Sequence, residues 1–200
     1  MIKILFISAP PRAGKDSFCN VFCNLGVYEN VICDRFAESL YQTIPRIFQI
    51  DPSEWEWIYE NEKSSPSHLL CGMTPREAMI WVSEDVIKPK FGKDFFGLKT
   101  VDRLKKTLYM QQQEDHIVLI NGLGFYEEGK AVVDWIGANN CYHLSISKKG
   151  CNYSNDSRRP VSPAMLGISD DHIFKIDNNS SLENLSQKAK EIYKSIDFTK

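Results

Sequence analysis

The sequence lacks the long apolar runs and the excess of one charge that define several large classes of protein. No stretch approaches the ~18 consecutive apolar residues that a membrane-spanning helix needs. The 24 lysines and arginines nearly balance the 26 aspartates and glutamates, and the net charge is −2. This balance disfavours a surface coated in positive charge for non-specific nucleic-acid binding, although a local basic groove is compatible with it.

Paired cysteines are also missing. The six cysteines form no C-x-x-C pair and have no histidine spacing typical of zinc, which argues against a zinc site and against a disulfide framework. The N-terminal apolar run has the length of a strand and lacks the cleavage site of a secretory signal. We therefore expect reduced thiols, a cytoplasmic location and no membrane partner.

Length and composition predict an ordinary folded domain. With 200 residues, 42% of them apolar and 25% charged, the chain is long enough for one domain spanning residues 1–200. Residues 51–67 are acidic and proline-flanked, and we interpret them as an insertion or a mobile excursion. For Trp55 and Trp57 within it, packing is favoured over stacking on a base. Residues 148–163 are polar and are predicted to form a loop that serves as a lid.

Apolar runs of strand length alternate with segments of helical periodicity. The predicted strands cover residues 3–8, 31–33, 116–121, 141–147 and 172–176, and the predicted helices cover 15–25, 34–48, 74–87, 102–113, 127–136 and 181–196. Such alternation is typical of an α/β fold with a central parallel sheet flanked by helices. Ligands of these sheets bind at the carboxyl ends of the strands.

The turn between the first strand and the first helix contains the clearest functional motif. Residues 9–16 read A-P-P-R-A-G-K-D, close to the phosphate-binding loop G-x-x-x-x-G-K-[ST]. In such a loop, backbone N–H groups and a helix N-terminus surround phosphate oxygens, and one lysine reaches the terminal phosphates. The motif's position after an apolar strand favours a phosphate site over a chance Gly-Lys pair. Its predicted nucleotide-binding residues are Pro11, Arg12, Ala13, Gly14, Lys15, Asp16 and Ser17.

Two positions depart from the motif. Ala9 replaces the first glycine, and Asp16 replaces the hydroxyl residue that normally contacts magnesium. Magnesium prefers oxygen ligands and keeps several waters, so Asp16 is able to hold it directly or through water, with the Ser17 hydroxyl beside it.

The chain resembles the deoxynucleoside monophosphate kinases of T-even type phages, whose loop also ends in G-K-D. The resemblance begins at LFISAPPRAGKDSF and continues through residues 34–40 (DRFAESL), 74–79 (TPREAM) and 91–96 (FGKDFF). It ends with residues 154–156 (SND), 169–171 and 176–185 (IDNNSSLENL). It thus covers most of the chain, and residues 51–67 match least.

The resemblance implies a P-loop nucleoside monophosphate kinase with mobile acceptor-binding and lid segments, acting in the host cytoplasm. Its activity would be transfer of the γ-phosphoryl group of ATP, with Mg²⁺, to a 5′-deoxynucleotide. Such transfer depends mostly on positioning and cationic charge. The implied catalytic residues are Lys15, Asp16, Arg76 and Arg158. The implied substrate-binding residues are Asp34, Phe36, Arg76, Arg158 and Arg159.

One departure from the family is large. After the strand HIVLIN, the family has an Asp-x-Arg motif, whereas this chain has Gly122 and Gly124. Both charges are therefore missing there, while Arg158 and Arg159 lie in a loop where relatives carry other polar residues. We infer that cationic charge has moved to that loop.

The missing motif leaves three functions open. The first is the nucleotide kinase. In the second, the acceptor is a 5-hydroxymethyluracil base in DNA, as in related phage kinases that modify DNA, and DNA is then a partner. The third is a nucleotide-binding relative that has lost catalysis. The sequence also leaves the oligomeric state open, with a homodimer as one alternative.

Overall fold

Strands and helices alternate along the chain in the computed structural model, which describes residues 1–25, 30–111, 115–154 and 156–196. The strands are β1 (Ile2–Ser8), β2 (Val31–Arg35), β3 (His116–Asn121), β4 (Cys141–Ser147) and β5 (Ile173–Asp177). The helices are α1 (Lys15–Cys23), α2 (Glu38–Phe48), α3 (Pro52–Asn61), α4 (Pro75–Ile80), α5 (Lys88–Phe91), α6 (Phe95–Gln111), α7 (Tyr126–Ile136) and α8 (Leu182–Ser195). No helix in the described ranges combines the length and apolar character needed to cross a membrane.

The five strands form one parallel sheet in the order β2-β3-β1-β4-β5. Because all strands run the same way, their carboxyl ends meet at one edge, where Ser8, Arg35, Asn121, Ser147 and Asp177 lie. The predicted fold class is confirmed. It is α/β with a central parallel sheet flanked by helices, consistent with the nucleoside monophosphate kinase-like fold that the resemblance implies. The mobile acceptor-binding and lid segments stay predictions.

Alternate residues of the central strands fill two apolar layers. Leu5 and Ile7 of β1 face a core that includes α1 and α8, whereas Ile4 and Phe6 face a core that includes α6 and α7. β1 and β3 are therefore buried on both faces, which explains why they read as continuous apolar runs. The sheet and these helices belong to one compact unit, Met1–Phe36 with Gly97–Lys200.

Residues Ala37–Phe96 form a second compact unit. Its core is built from α2, α3, the 3₁₀ turn at Leu70, α4 and the π-helical segment Trp81–Ile87. Much of the segment 51–67 is helix α3, capped by Asp51, whose carboxylate accepts a hydrogen bond from the Ser53 N–H. The insertion and single-domain interpretations stay predictions.

Trp55 and Trp57 differ sharply in burial within α3. Trp55 is 1% exposed and packs against Tyr41 and Tyr59, whereas Trp57 is 56% exposed. We expect Trp55→Ala to lower the free energy of unfolding by about 3–5 kcal/mol, as is typical of large-to-small changes in a core. Trp57→Ala, the matched control on the same helix, changes it by less than about 1 kcal/mol. Urea unfolding monitored by circular dichroism measures both. Equal effects would contradict the packing described here.

Three predicted element boundaries are wrong by four or more residues. β2 continues to Arg35, so Asp34 lies in a strand rather than in α2. The helix predicted to end before Pro89 continues to Phe91, because a π-helical segment precedes the proline and changes the hydrogen-bond pattern there. The helix predicted over 102–113 begins at Phe95, and residues 112 and 113 lie outside the described part.

The cysteines are not all reduced, contrary to expectation. The sulfur atoms of Cys23 and Cys33 are bonded, because α1 ends beside β2 and brings together two residues that no short spacing motif links. Cys19 and Cys141 are buried free thiols. Burial raises the pKa of each to about 12, so both remain protonated and pack as small apolar groups.

Candidate active site

The predicted phosphate loop joins β1 to α1. Gly14 precedes the first residue of α1 and adopts φ +93°, a left-handed conformation that L side chains rarely take. A Cβ atom at this position would lie 2.2 Å from Nδ2 of Asn178, which donates a hydrogen bond to the Ala13 carbonyl at 2.9 Å. Since glycine carries no capping side chain, the N–H groups of the first turn of α1 face a loop suited to an anion.

Lys15, Asp16 and Asn121 form a polar cluster at the end of this loop. Lys15 Nζ donates to Asp16 Oδ2 at 2.7 Å, and Asn121 Nδ2 donates to Asp16 Oδ1 at 2.7 Å. Asn121 ends β3, so the parallel sheet brings it to the loop at the end of β1. The cluster therefore joins the loop lysine to the carboxyl end of β3.

Arg158 covers Gly122 and Gly124, the two glycines that follow β3. A Cβ atom on Gly124 would lie 2.4 Å from Arg158 Cβ and 2.6 Å from its Cγ, and one on Gly122 would lie 3.5 Å from its Nη1. Asp156 orients the guanidinium group, accepting from Nε at 3.0 Å and from Nη2 at 2.6 Å. The Arg159 N–H donates to the Gly124 carbonyl at 3.0 Å, which anchors the loop at the same place. The arginine side chain thus occupies the space that a side chain at position 124 would fill.

Asp34 takes part in an ion pair at the end of β2. Arg103 of α6 donates to both of its carboxylate oxygens, from Nε at 3.2 Å and from Nη2 at 3.0 Å. Nη2 also donates to the Arg35 carbonyl at 2.9 Å. This arrangement links β2 to α6 and gives Asp34 a structural role beside the predicted substrate contact.

The structural role of Asp34 is measurable. We expect Asp34→Ala to lower the free energy of unfolding by about 1.5–3 kcal/mol, because it removes the Asp34 carboxylate from the half-buried Arg103 guanidinium. Asp102→Ala, which removes an exposed carboxylate 3.4 Å from Lys99 on the same helix, serves as the control and changes it by less than about 1 kcal/mol. Thermal and urea unfolding report the difference. Unchanged stability in Asp34→Ala would leave substrate contact as its role.

The remaining predicted site residues are placed as follows. Phe36 is 3% exposed and stacks on Phe6 in the core, so its ring acts in packing, and its contact with substrate stays a prediction. Arg76 lies on α4, whose first turn is fixed by a capping box between Thr74 and Glu77, in the second compact unit. In the first unit, Arg12 and Ser17 are exposed, Pro11 is half-buried and Ala13 is buried.

Sequence reasoning missed three contributors to this edge of the sheet. Asn178 follows β5 and holds the phosphate loop, and Arg103 pairs with Asp34 from a helix. Neither has a motif, because their contacts join segments far apart in the sequence. The third is His143, which lies beneath the loop with Nε2 3.0 Å from Ser8 Oγ. Burial lowers the pKa of His143 to about 4, so the ring is neutral near pH 7. The alternation of polar and apolar residues in CYHLSIS is the sequence pattern that could have indicated it.

The residues at this edge fit a magnesium–nucleotide. Asn121 Oδ1 is buried and accepts no hydrogen bond from the described residues, although its amide lies against Asp16. Mg²⁺ commonly uses one or two carboxylates together with waters and phosphate oxygens, and the exposed Asp16 carboxylate at the loop is of this kind. No group of three or more histidine, cysteine or acidic side chains in the described ranges would hold a metal alone. Asp16 and Ser17 stay the predicted metal-binding residues.

Comparisons with known proteins add a distant structural similarity. No protein-family profile and no curated protein matches the sequence. Among solved structures, the chain is similar to a gluconokinase from Sinorhizobium meliloti 1021, with 9% sequence identity and a TM-score of 0.44. The match covers 94% of this chain and 89% of that chain. Similarity at this level carries no argument about substrate.

Proposed function

We propose that this chain is a P-loop kinase that transfers the γ-phosphoryl group of ATP to a deoxynucleoside monophosphate. The observation that carries the proposal is the geometry of the loop. Gly14 takes a left-handed conformation, Lys15 begins α1, and Asp16 contacts the end of β3. This arrangement supplies N–H donors, a helix N-terminus and a cation where phosphates would bind.

In this proposal, Arg158 provides the charge that the missing Asp-x-Arg arginine would have supplied. Its side chain reaches across Gly124 towards Gly122, beside the end of β3. Asp156 fixes the guanidinium by two hydrogen bonds, so little rotational freedom is lost when it contacts a phosphate. Arg159 and Arg76 are further candidate phosphate contacts.

Phosphoryl transfer requires little general acid–base catalysis from the protein. Its transition state is loose, and catalysis rests on alignment and on cations around the transferred group. Lys15 would hold the terminal phosphates of ATP, and Arg158 would stabilise negative charge at the transferring group. Magnesium, when bound through Asp16 and Ser17, would neutralise phosphate charge. Asp34 forms an ion pair with Arg103, whereas Asp16 lies at the loop, so Asp16 is the better-placed carboxylate for contacting magnesium.

A panel of acceptors tests the proposal. The purified chain is incubated with ATP, Mg²⁺ and each of the four deoxynucleoside monophosphates, and diphosphate formation is followed by chromatography. Parallel samples contain duplex DNA with 5-hydroxymethyluracil. Diphosphate formation supports the proposal. If phosphate from labelled ATP is transferred only to the DNA, the acceptor is not a free nucleotide and the DNA kinase is favoured. If the chain binds ATP but transfers phosphate to no acceptor, the proposal that it is a kinase is wrong.

A further inference from the structure

The segment directly after β5 is anchored beside the phosphate loop by its own backbone and side-chain contacts. The Asn178 N–H donates to the Ser147 carbonyl at 2.8 Å, and Asn179 Oδ1 accepts from the Lys149 N–H at 2.8 Å. Both contacts join the segment to the end of β4 and to the residues that follow it. From this fixed backbone, the Asn178 side chain reaches the phosphate loop, where its Nδ2 donates to the Ala13 carbonyl at 2.9 Å.

The contact with Asn178 fixes one peptide unit of the phosphate loop. The Ala13 carbonyl and the Gly14 N–H belong to the same peptide bond, which is planar and trans, so they point in opposite directions. Since the carbonyl points towards Asn178, the Gly14 N–H points away from it. That N–H has no hydrogen-bond partner among the described residues, whereas the Ala13 N–H donates to the Pro10 carbonyl at 3.2 Å. The loop thus presents an oriented, unused backbone donor directly before α1.

Gly14 does not fix this orientation by itself. Its φ of +93° is open to glycine, but glycine adopts negative φ values about as readily. Rotation of the peptide unit would turn the N–H away and bring the carbonyl oxygen to the side that the N–H now faces, where it would repel a phosphate. A Cβ atom at position 14 would lie 2.2 Å from Asn178 Nδ2, so glycine is also needed for the amide to approach. Gly14 permits the orientation, and Asn178 selects it.

We propose that Asn178 is a positioning residue for the phosphates of ATP, whose amide holds the Ala13 carbonyl so that the Gly14 N–H faces a phosphate oxygen. The inference rests on the proposed function in taking ATP as the ligand. Asn178 acts through the loop and does not itself touch the phosphate. Because its hydrogen bond orders the donor within the loop, less conformational freedom is lost when a phosphate binds.

ATP binding, rather than phosphoryl transfer, measures this role. Asn178→Asp keeps the size of the side chain but replaces its N–H donor by a carboxylate oxygen, which repels the Ala13 carbonyl. Near neutral pH, we expect the Kd for ATP with Mg²⁺, measured by titration calorimetry, to rise about 10–100-fold. Asn178→Ala removes the donor without adding charge, and its Kd should rise about three- to tenfold. Asn20→Asp adds the same charge at an exposed position of α1 and should leave the Kd within about twofold.

A pH profile separates positioning from a general loss of packing. In Asn178→Asp, protonation of the new carboxyl group supplies an O–H donor to the Ala13 carbonyl. The ratio of its Kd to that of the parent should therefore fall as the pH is lowered from about 7.5 towards about 4.5, near the usual pKa of a carboxyl group. This ratio should fall below that of Asn178→Ala, because loss of charge alone would only make the two variants equal. Circular dichroism at each pH verifies folding.

The amide signal of Gly14 reports the donor directly in ¹⁵N-labelled protein. In the parent, ATP should move its proton signal downfield, as donation to a phosphate oxygen requires, and in Asn178→Ala the movement should be much smaller. Equal shifts in the two proteins, or unchanged ATP affinity in Asn178→Ala, overturn the inference even where the parent transfers phosphate and even if Asn178→Asp fails to fold. Asn178-dependent ATP binding without transfer to any acceptor overturns only the proposed function, and a parent that does not bind ATP overturns both.

Discussion

Lys15→Ala is expected to reduce phosphoryl transfer by a factor on the order of 10²–10³, the loss typical of removing one charge-stabilising group from an active site. Lys15 is the first residue of α1, and its ammonium group lies next to Asp16 at the phosphate loop. Its stem is largely buried, with the side chain 18% exposed, so the charge is held near one place. ATP would lose its contact to the terminal phosphates, and both ATP affinity and kcat should fall.

A matched control separates local from general effects of charge. Lys106→Ala removes a lysine from an exposed position of α6, away from the loop, and should leave transfer within about twofold of the parent. Steady-state kinetics with ATP and the preferred acceptor, together with ATP titration by calorimetry, measure both variants. A Lys15→Ala protein that folds and retains full activity would remove the phosphate loop from the proposed mechanism.

The sheet and the loop were predictable because their signals are local. β1 and β3 are buried on both faces, and their apolar runs follow from that burial. Gly14 and Lys15 stand at a fixed spacing between a strand and a helix, which the phosphate-loop pattern describes. Both features depend on contiguous residues, so one sequence was enough to place them.

The partners of these residues were not predictable because they come from distant segments. Asn121 reaches Asp16 across 105 positions, and Asn178 reaches Ala13 across 165. Such contacts arise from strand order, which a pattern of apolar residues does not specify. The Cys23–Cys33 bond was also missed, because no short spacing motif links the two residues and only the approach of α1 to β2 brings them together. Sequence patterns thus placed the strand, turn and helix of the predicted phosphate loop but left the contacts that support it undetermined.

Arg158 and Gly124 depend on each other through close packing beside the end of β3. Glycine at this position is required by contact rather than by backbone conformation, because a Cβ atom there would lie 2.4–2.8 Å from three carbons of Arg158. The arginine would have to leave its place for any side chain to enter. Gly124 and Arg158 should therefore behave as one functional unit.

We expect Arg158→Ala to lower kcat by a factor on the order of 10²–10³, since the proposed cation at the transferring phosphate is lost. Gly124→Ala should cause most of the same loss by displacing the arginine. The double variant should be no worse than Arg158→Ala, because both changes remove the same interaction. Lys149→Ala, which removes an exposed cation from the same connection, should leave kcat within about twofold.

Steady-state kinetics of the parent and these variants, with thermal unfolding to verify folding, measure this coupling. The changes in activation free energy caused by the two single substitutions should be strongly non-additive in the double variant. Arg158→Lys should recover only part of kcat, because a lysine ammonium group cannot form the paired hydrogen bonds by which Asp156 orients the guanidinium group. Additive losses in the double variant would show that Gly124 acts independently of Arg158. Full activity in Arg158→Ala would mean that the charge of the missing motif is not replaced from this loop.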